Sequence, residues 1–167
     1  MTPRVVLIGP MGAGKTTIGR ELAERLGCEF ADTDELIETD QGKSISEIFV
    51  EDGEPHFRLV EESIVIDALI EREGVLSLGG GAVMNDATQS ALTKNSAKKV
   101  FLDISLAAVA PRVGFDTARP LLMVNPRQKW SELMALRRPT YESLADQIIE
   151  VSDKSISEIV DQIIGEL

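Results

Sequence analysis

The chain is expected to fold as an α/β protein of three layers, α/β/α, with a five-stranded parallel sheet in the middle. Three observations lead there. Short apolar runs alternate with stretches of helical period along the whole chain. A glycine-rich turn from Gly9 to Thr16 joins the first run to the first helix, and a second glycine run, Gly79 to Gly81, follows another apolar run. Strands separated by helices pair in parallel and are covered on both faces, which is why such strands read as unbroken apolar runs.

Val5 to Ile8 is the first of these runs and suits a fully buried strand. The helix behind the glycine-rich turn places Ile18, Leu22 and Leu26 on one face and stops at Gly27. Cys28 to Asp32 is predicted as a short second strand. Two helical segments follow, Asp34 to Thr39 and Ile45 to Glu51, broken at Gly42 and Gly53. A longer helix from Pro55 to Glu73 is expected to bury Leu59, Ile66 and Leu69, with Val60 and Ile70 beside them. Val75 to Leu78 is the third strand and runs into the triple glycine. Asn85 suits the N-cap of a helix from Asp86 to Thr93. Val100 to Ile104 is the fourth strand, Ser105 to Arg112 a further helix, and Gln147 to Val151 the last strand before a closing helix from Ile156 to Ile164. Trp130 belongs to a helix expected to end at Arg137, Arg138 and Pro139. The stretch from Gly114 to Pro126 fits neither period, and a loop of that length between two helices suits a lid.

The turn itself reads G-P-M-G-A-G-K-T, a complete G-x-x-x-x-G-K-[ST] phosphate loop between a strand and a helix. Its glycines let successive N–H groups turn inward around phosphate oxygens, and the helix N-terminus adds partial positive charge. Gly12, Ala13, Gly14, Lys15, Thr16 and Thr17 are therefore the nucleotide-binding candidates. Lys15 would reach the β- and γ-phosphates, and the Thr16 hydroxyl would ligate a magnesium ion bridging them. A nucleoside triphosphate with Mg2+ is the implied ligand.

Composition narrows the partners. A chain of 167 residues has the length of one domain. The net charge of −11 leaves no basic stripe to neutralise a nucleic acid or an anionic membrane, so small molecules are the expected ligands. No apolar stretch is long enough to span a bilayer and no signal-peptide pattern opens the chain, which points to a cytoplasmic protein, expected to act as a monomer. The single cysteine, Cys28, forms no internal disulfide and reads as a small core residue.

In so acidic a chain the arginines outside ordinary helix pairs stand out. Arg58 can pair with Glu61 or Glu62, and that geometry can hold a guanidinium still while it clamps a carboxylate. Arg137 and Arg138 are adjacent on a helix and point in different directions, so at most one faces the site. Arg112 flanks the lid and can stack on a base or equally be solvated. Asp32 and Asp34 lie two apart past the second strand, where both carboxylates can face one side; one would serve the metal's outer shell and the other orient an acceptor or take its proton. Either can equally be an ordinary helix N-terminal acid. Asp103 is a weaker metal claimant. His56 is the only histidine and suits a solvated helix position.

Together these clusters resemble shikimate kinase along essentially the whole chain. The resemblance is carried by the phosphate loop, by Asp32, Thr33 and Asp34, by Phe57, Arg58 and Glu61, and by Gly79 to Gly81. Arg119, Pro120, Leu121 and Leu122, and Arg137 two before Pro139, complete it. It implies a nucleoside-monophosphate-kinase-like phosphate-loop fold, an acceptor-binding helical segment over 33–61 and a lid over 112–125. It also implies transfer of the γ-phosphoryl of ATP to the 3-hydroxyl of shikimate, a step toward chorismate and aromatic amino acids. By this resemblance Lys15, Asp34 and Arg119 are catalytic. Asp34, Arg58, Gly80 and Arg137 bind shikimate, with Phe49 and Phe57 as an apolar wall and Glu61 holding Arg58. Arg112 and Arg119 contact the nucleotide, and Thr16 and, through water, Asp32 serve magnesium. The stretch Ser152 to Ser155 is short for an adenine loop. The rivals are a gluconate or nucleoside monophosphate kinase of the same fold and a nucleotide-binding module without turnover. A GTPase switch is disfavoured because no N-K-x-D motif occurs.

Overall fold

The computed structural model describes residues 2–113 and 125–167. The strands are β1 (Val5–Ile8), β2 (Phe30–Asp32), β3 (Val75–Ser77), β4 (Lys98–Asp103) and β5 (Gln147–Glu150), and they form one parallel sheet in the order β2-β3-β1-β4-β5. β1 lies at the centre with all four residues buried, which accounts for its unbroken apolar run. The edge strand β5 alternates buried and exposed residues and leaves Ile148 in solvent.

Helix α1 (Lys15–Leu26) buries Ile18, Leu22 and Ala23 and stops at Gly27, whose left-handed backbone returns N–H groups to the last carbonyls. α8 (Ile156–Gly165) packs beside it, opened by a capping box of Ser155 and Glu158. Arg25 ties the two through Asp161 at 2.6 Å and Ser157 at 2.9 Å. In the other layer α5 (Asp86–Lys94) packs on both α4 (Glu54–Glu71) and α7 (Pro126–Leu144), with α6 (Leu106–Val113) against α7. α2 (Thr33–Gln41) and α3 (Ile45–Glu51) build out from α4 over a separate small core of Ile37, Ile45, Ile48 and Phe57. Two capping devices start these helices, Asp32 for α2 and a Ser44–Glu47 box for α3.

Several expectations change, among them the fourth strand, which begins at Lys98 rather than Val100. The buried stripe of α4 is Phe57, Glu61, Val65, Ala68 and Leu69, while Leu59 and Ile70 face solvent. A buried glutamate in mid-stripe disguises the true face, and the exposed aliphatics supply a false one. Pro139 does not end its helix: α7 continues to Leu144, because a proline removes one hydrogen bond and tertiary contacts keep the rest. β2 begins at Phe30 rather than Cys28, which sits half-buried against the core, and the triple glycine leads into a short 3-10 turn, Ala82–Met84, that periodicity does not signal. The lid expected over 112–125, with Arg119, falls outside the described residues except at its ends.

Ile48 is fully buried in the small core, apart from the main core around the sheet. Ile48→Ala is expected to cost about 2–4 kcal/mol in urea unfolding; a loss below about 0.5 kcal/mol would mean that this cluster is not a packed core.

Candidate active site

The carboxyl ends of β1, β2 and β3 deliver the phosphate loop, the Asp32–Asp34 triplet and the triple glycine to one edge of the sheet. In the loop, Gly12 holds φ at +85° and a Cβ there would run into the side chain of Val109, so both conformation and space demand glycine. Lys15 Nζ donates to the carbonyls of Gly9 at 2.8 Å and Pro10 at 2.9 Å, which holds the ammonium over the loop.

Asp32 does two jobs with its two oxygens. Oδ2 accepts from Thr16 Oγ1 at 2.8 Å, and Oδ1 accepts from the Asp34 N–H at 2.8 Å as the cap of α2. The capping and the metal-side readings of this residue are thus compatible in one geometry. The extended segment ends at Asp32, so Asp34 lies in the first turn of α2 rather than two places along a strand. Both still line one cavity with Gly12, Gly14, Lys15, Thr16, Thr17 and Gly80, because the helix starts at the sheet edge. Thr33, buried between them, accepts from the Gly79 N–H at 3.2 Å and ties α2 to the glycine run.

A hard-oxygen donor set of one hydroxyl and one or two carboxylates suits Mg2+. Among the described residues no three His, Cys, Asp or Glu side chains form a metal cage, so a magnesium ion here would draw the rest of its shell from phosphate and water. On the other side of the loop, Ala13, Gly14 and Thr17 line a second cavity with Ile104, Arg112 and Lys154. Arg112 Nη1 donates to the Gly12 carbonyl at 2.9 Å, which brings it beside the phosphate loop.

A neighbouring surface is built by α4, α7 and the glycines. Arg58 Nη1 donates to Glu61 Oε1 at 2.7 Å, its Nη2 reaches Glu54 at 3.4 Å, and its guanidinium lies 5.2 Å from the centre of the Phe57 ring. Glu61 is buried, so the grip on Arg58 is shielded from water. A Cβ on Gly81 would stand 2.7 and 2.8 Å from the two terminal nitrogens of Arg58 and 2.9 Å from Arg137 Nη2. One on Gly80 would stand 3.3 Å from Arg137 Nη1 and 3.5 Å from the Met11 amide. Two guanidiniums therefore converge over backbone that carries no side chain, and Gly80 lines the phosphate-side cavity as well as theirs.

Phe57 is wholly buried against Phe49, ring centres 4.9 Å apart, so it supports Arg58 from below and is itself hidden from the cavity. His56 is exposed beside Gln41. Arg119 lies outside the described residues. Arg138 turns away from Arg137 and forks onto Asp103 at 2.8 and 2.9 Å, which draws Asp103 away from any metal role. That carboxylate holds the Arg138 guanidinium's pKa above its ordinary value.

Sequence reasoning gave no structural role to three residues that matter here. Trp130 Nε1 donates to the Met11 carbonyl at 2.9 Å and fastens α7 to the phosphate loop. Tyr141 Oη donates to the Gly80 carbonyl at 2.6 Å, and Thr33 holds Gly79. The signal for Tyr141 was its place four residues after Arg137, on the same helical face. Nothing local marked Trp130, which reaches across the fold.

A family model described as shikimate kinase matches residues 11–167. A shikimate kinase of Thermobifida fusca is 48% identical over 165 residues, covering 99% of this chain and 95% of that protein. One of Rhodococcus jostii is 45% identical over 168 residues, covering 100% of this chain and 99% of that protein. A shikimate kinase from Acinetobacter baumannii, solved in complex with shikimate, superposes with a TM-score of 0.93 at 36% identity, covering 99% of this chain and 92% of that one. A gluconokinase from Sinorhizobium meliloti, at 19% identity and a TM-score of 0.60 over 98% of this chain and 90% of that one, shares the fold alone.

Glu61→Gln keeps the shape and removes the buried charge opposite Arg58. It is expected to lower the unfolding free energy by about 1–3 kcal/mol, because the half-buried guanidinium loses a charge-assisted partner. An unchanged midpoint in chemical denaturation would show that the pair carries no stability.

Proposed function

The chain belongs to the shikimate kinase family, and from that membership and the geometry of its site we infer that it transfers the γ-phosphoryl of ATP to the 3-hydroxyl of shikimate, giving shikimate 3-phosphate and ADP. One observation carries this reading above all: the two guanidiniums, Arg58 and Arg137, that meet over Gly81. Shikimate is a ring of hydroxyls bearing one carboxylate. Guanidiniums bind carboxylates through paired, directional hydrogen bonds, whereas an uncharged sugar has no use for two of them.

With its carboxylate in that clamp and its ring against Gly80, the acceptor's hydroxyls would lie toward Asp34 and the phosphate-side cavity. Phosphoryl transfer asks mainly for alignment and for charge stabilisation, so the protein has little covalent chemistry to do. Lys15 would stabilise charge building on the migrating group from the loop side, and Arg119, beyond the described residues, is assigned by resemblance to the lid side. An arginine brought in with the acceptor would complete the site only once water is displaced, which limits wasteful hydrolysis. Asp34 would accept a hydrogen bond from the attacking hydroxyl, orient it, and take its proton as the new bond forms. Magnesium, when bound, would neutralise the β- and γ-phosphates, with Thr16 Oγ1 as a direct ligand and Asp32 acting through water. Arg112 would pack beside the base.

The reading is tested by ADP formation with ATP, magnesium and either shikimate, gluconate, uncharged sugars or nucleoside monophosphates. Turnover with shikimate alone is expected; turnover only with an uncharged sugar or a nucleoside monophosphate would overturn the clamp, and turnover only with gluconate, which also bears a carboxylate, would overturn shikimate as the acceptor. Asp34→Asn is expected to lower kcat with shikimate by at least about a hundredfold, the scale of lost acid–base assistance and orientation, while ATP binding by calorimetry stays within about threefold. Equal loss of ATP binding would remove Asp34 from the acceptor side.

A further inference from the structure

Arg138 is the neighbour of Arg137 on α7 but serves a different surface. Its fork onto Asp103 uses both carboxylate oxygens, at 2.8 and 2.9 Å. The guanidinium also lies 5.8 Å from the centre of the Phe101 ring, with Glu142 at 3.6 Å one turn further on. Asp103 is the last residue of β4, hydrogen-bonded into the sheet beside central β1, and so offers a rigid post.

The fork sits where α7 is weakest. Pro139 has no N–H to give to the Ala135 carbonyl, and a residue that precedes proline, here Arg138, is disfavoured in helical backbone. The helix nevertheless runs on to Leu144. Two side-chain grips bracket the weak point: Arg138 on Asp103, and Tyr141 Oη on the Gly80 carbonyl at 2.6 Å. In a helix residues 137 and 141 share a face, whereas 138 lies about 100° round the axis. A helix held along one face can still roll; one held along two faces cannot.

We propose that the Arg138–Asp103 fork is a positioning pair for the acceptor clamp: it sets the roll of α7 and so holds the Arg137 guanidinium over Gly80 and Gly81, where the acceptor carboxylate binds. The pair acts in this way only if the clamp inferred under the proposed function holds. Arg138 touches no substrate in this arrangement, and Asp103, with both oxygens engaged, is structural rather than metal-binding.

The test compares initial rates over shikimate and over ATP for the unaltered protein, Arg138→Met, Asp103→Asn, Arg137→Ala and the Arg137→Ala/Arg138→Met double variant. Arg138→Met and Asp103→Asn are each expected to raise KM for shikimate about three- to tenfold, with kcat and KM for ATP within about twofold, as when uniform acceptor binding is lost. Arg138→Lys, which keeps the charge but cannot fork, should recover only part of this. In the Arg137→Ala background Arg138→Met should change KM by less than about twofold, since nothing remains to be positioned. Equal effects of Arg138→Met in both backgrounds, or an unchanged KM in a folded variant, would overturn the proposal. If Arg138→Met does not fold, Arg138→Lys and Asp103→Asn decide it by the same two criteria. An unaltered protein that turns over shikimate, with a KM indifferent to Arg137→Ala, would instead overturn the clamp itself and the positioning pair with it.

Discussion

The site depends on a close approach at Gly80 and Gly81, where bare backbone lies between the phosphate loop and two arginines and a side chain on Gly81 would push both guanidiniums aside. A methyl group on Gly81 would press on three guanidinium nitrogens at 2.7 to 2.9 Å, and one on Gly80 would crowd Arg137 and the Met11 amide. The same run is held on every side. Thr33 takes the Gly79 N–H, Tyr141 gives its hydroxyl hydrogen to the Gly80 carbonyl, and β3 anchors it from within the sheet. Helices α2, α4 and α7 and the phosphate loop therefore meet around three residues that have no side chains of their own. A thin wall of this kind lets an acceptor lie close to a phosphate group without a side chain between them.

Charge is organised with the same economy of atoms. The chain carries a net charge of −11, yet the ligands inferred for it, a nucleoside triphosphate and a carboxylate, are both anions. Its few cations at the sheet edge are held by specific partners: Arg58 by buried Glu61, Lys15 by two loop carbonyls, Arg138 by Asp103. Holding a guanidinium in advance lowers the conformational entropy lost when a ligand arrives. Asp32 shows the converse for an acid, one oxygen fixing the start of α2 and the other fixing Thr16, so that the helix carrying Asp34 and the hydroxyl at the phosphate loop are set relative to each other.

Much of this was legible in sequence because the informative features are local. The phosphate loop, the buried strand Val5–Ile8 and the triple glycine each announce their conformation within a few residues, and the sheet edge they share follows from parallel topology. The spacing of Arg58 to Glu61 and Glu62 likewise allowed a held guanidinium, and the structure selects Glu61. What was hidden is non-local or self-contradictory. Glu61 interrupts the apolar stripe of α4, so periodicity finds buried Leu69 but mixes it with exposed Leu59 and Ile70. Pro139 reads as a helix end, but the contacts that carry α7 through it come from β4 and the glycine run. The link from Trp130 to Met11 spans most of the chain, and nothing near either residue suggests it.

The central claim is that a carboxylate binds between Arg58 and Arg137. Calorimetric dissociation constants for shikimate and for its carboxamide, identical in every ring hydroxyl but uncharged, test it most directly. Each charged hydrogen bond lost at a shielded guanidinium is worth about 1.5–3 kcal/mol, so the carboxamide should bind at least about tenfold more weakly. Equal dissociation constants would contradict the claim, because the two arginines would then recognise something other than the acceptor's charge.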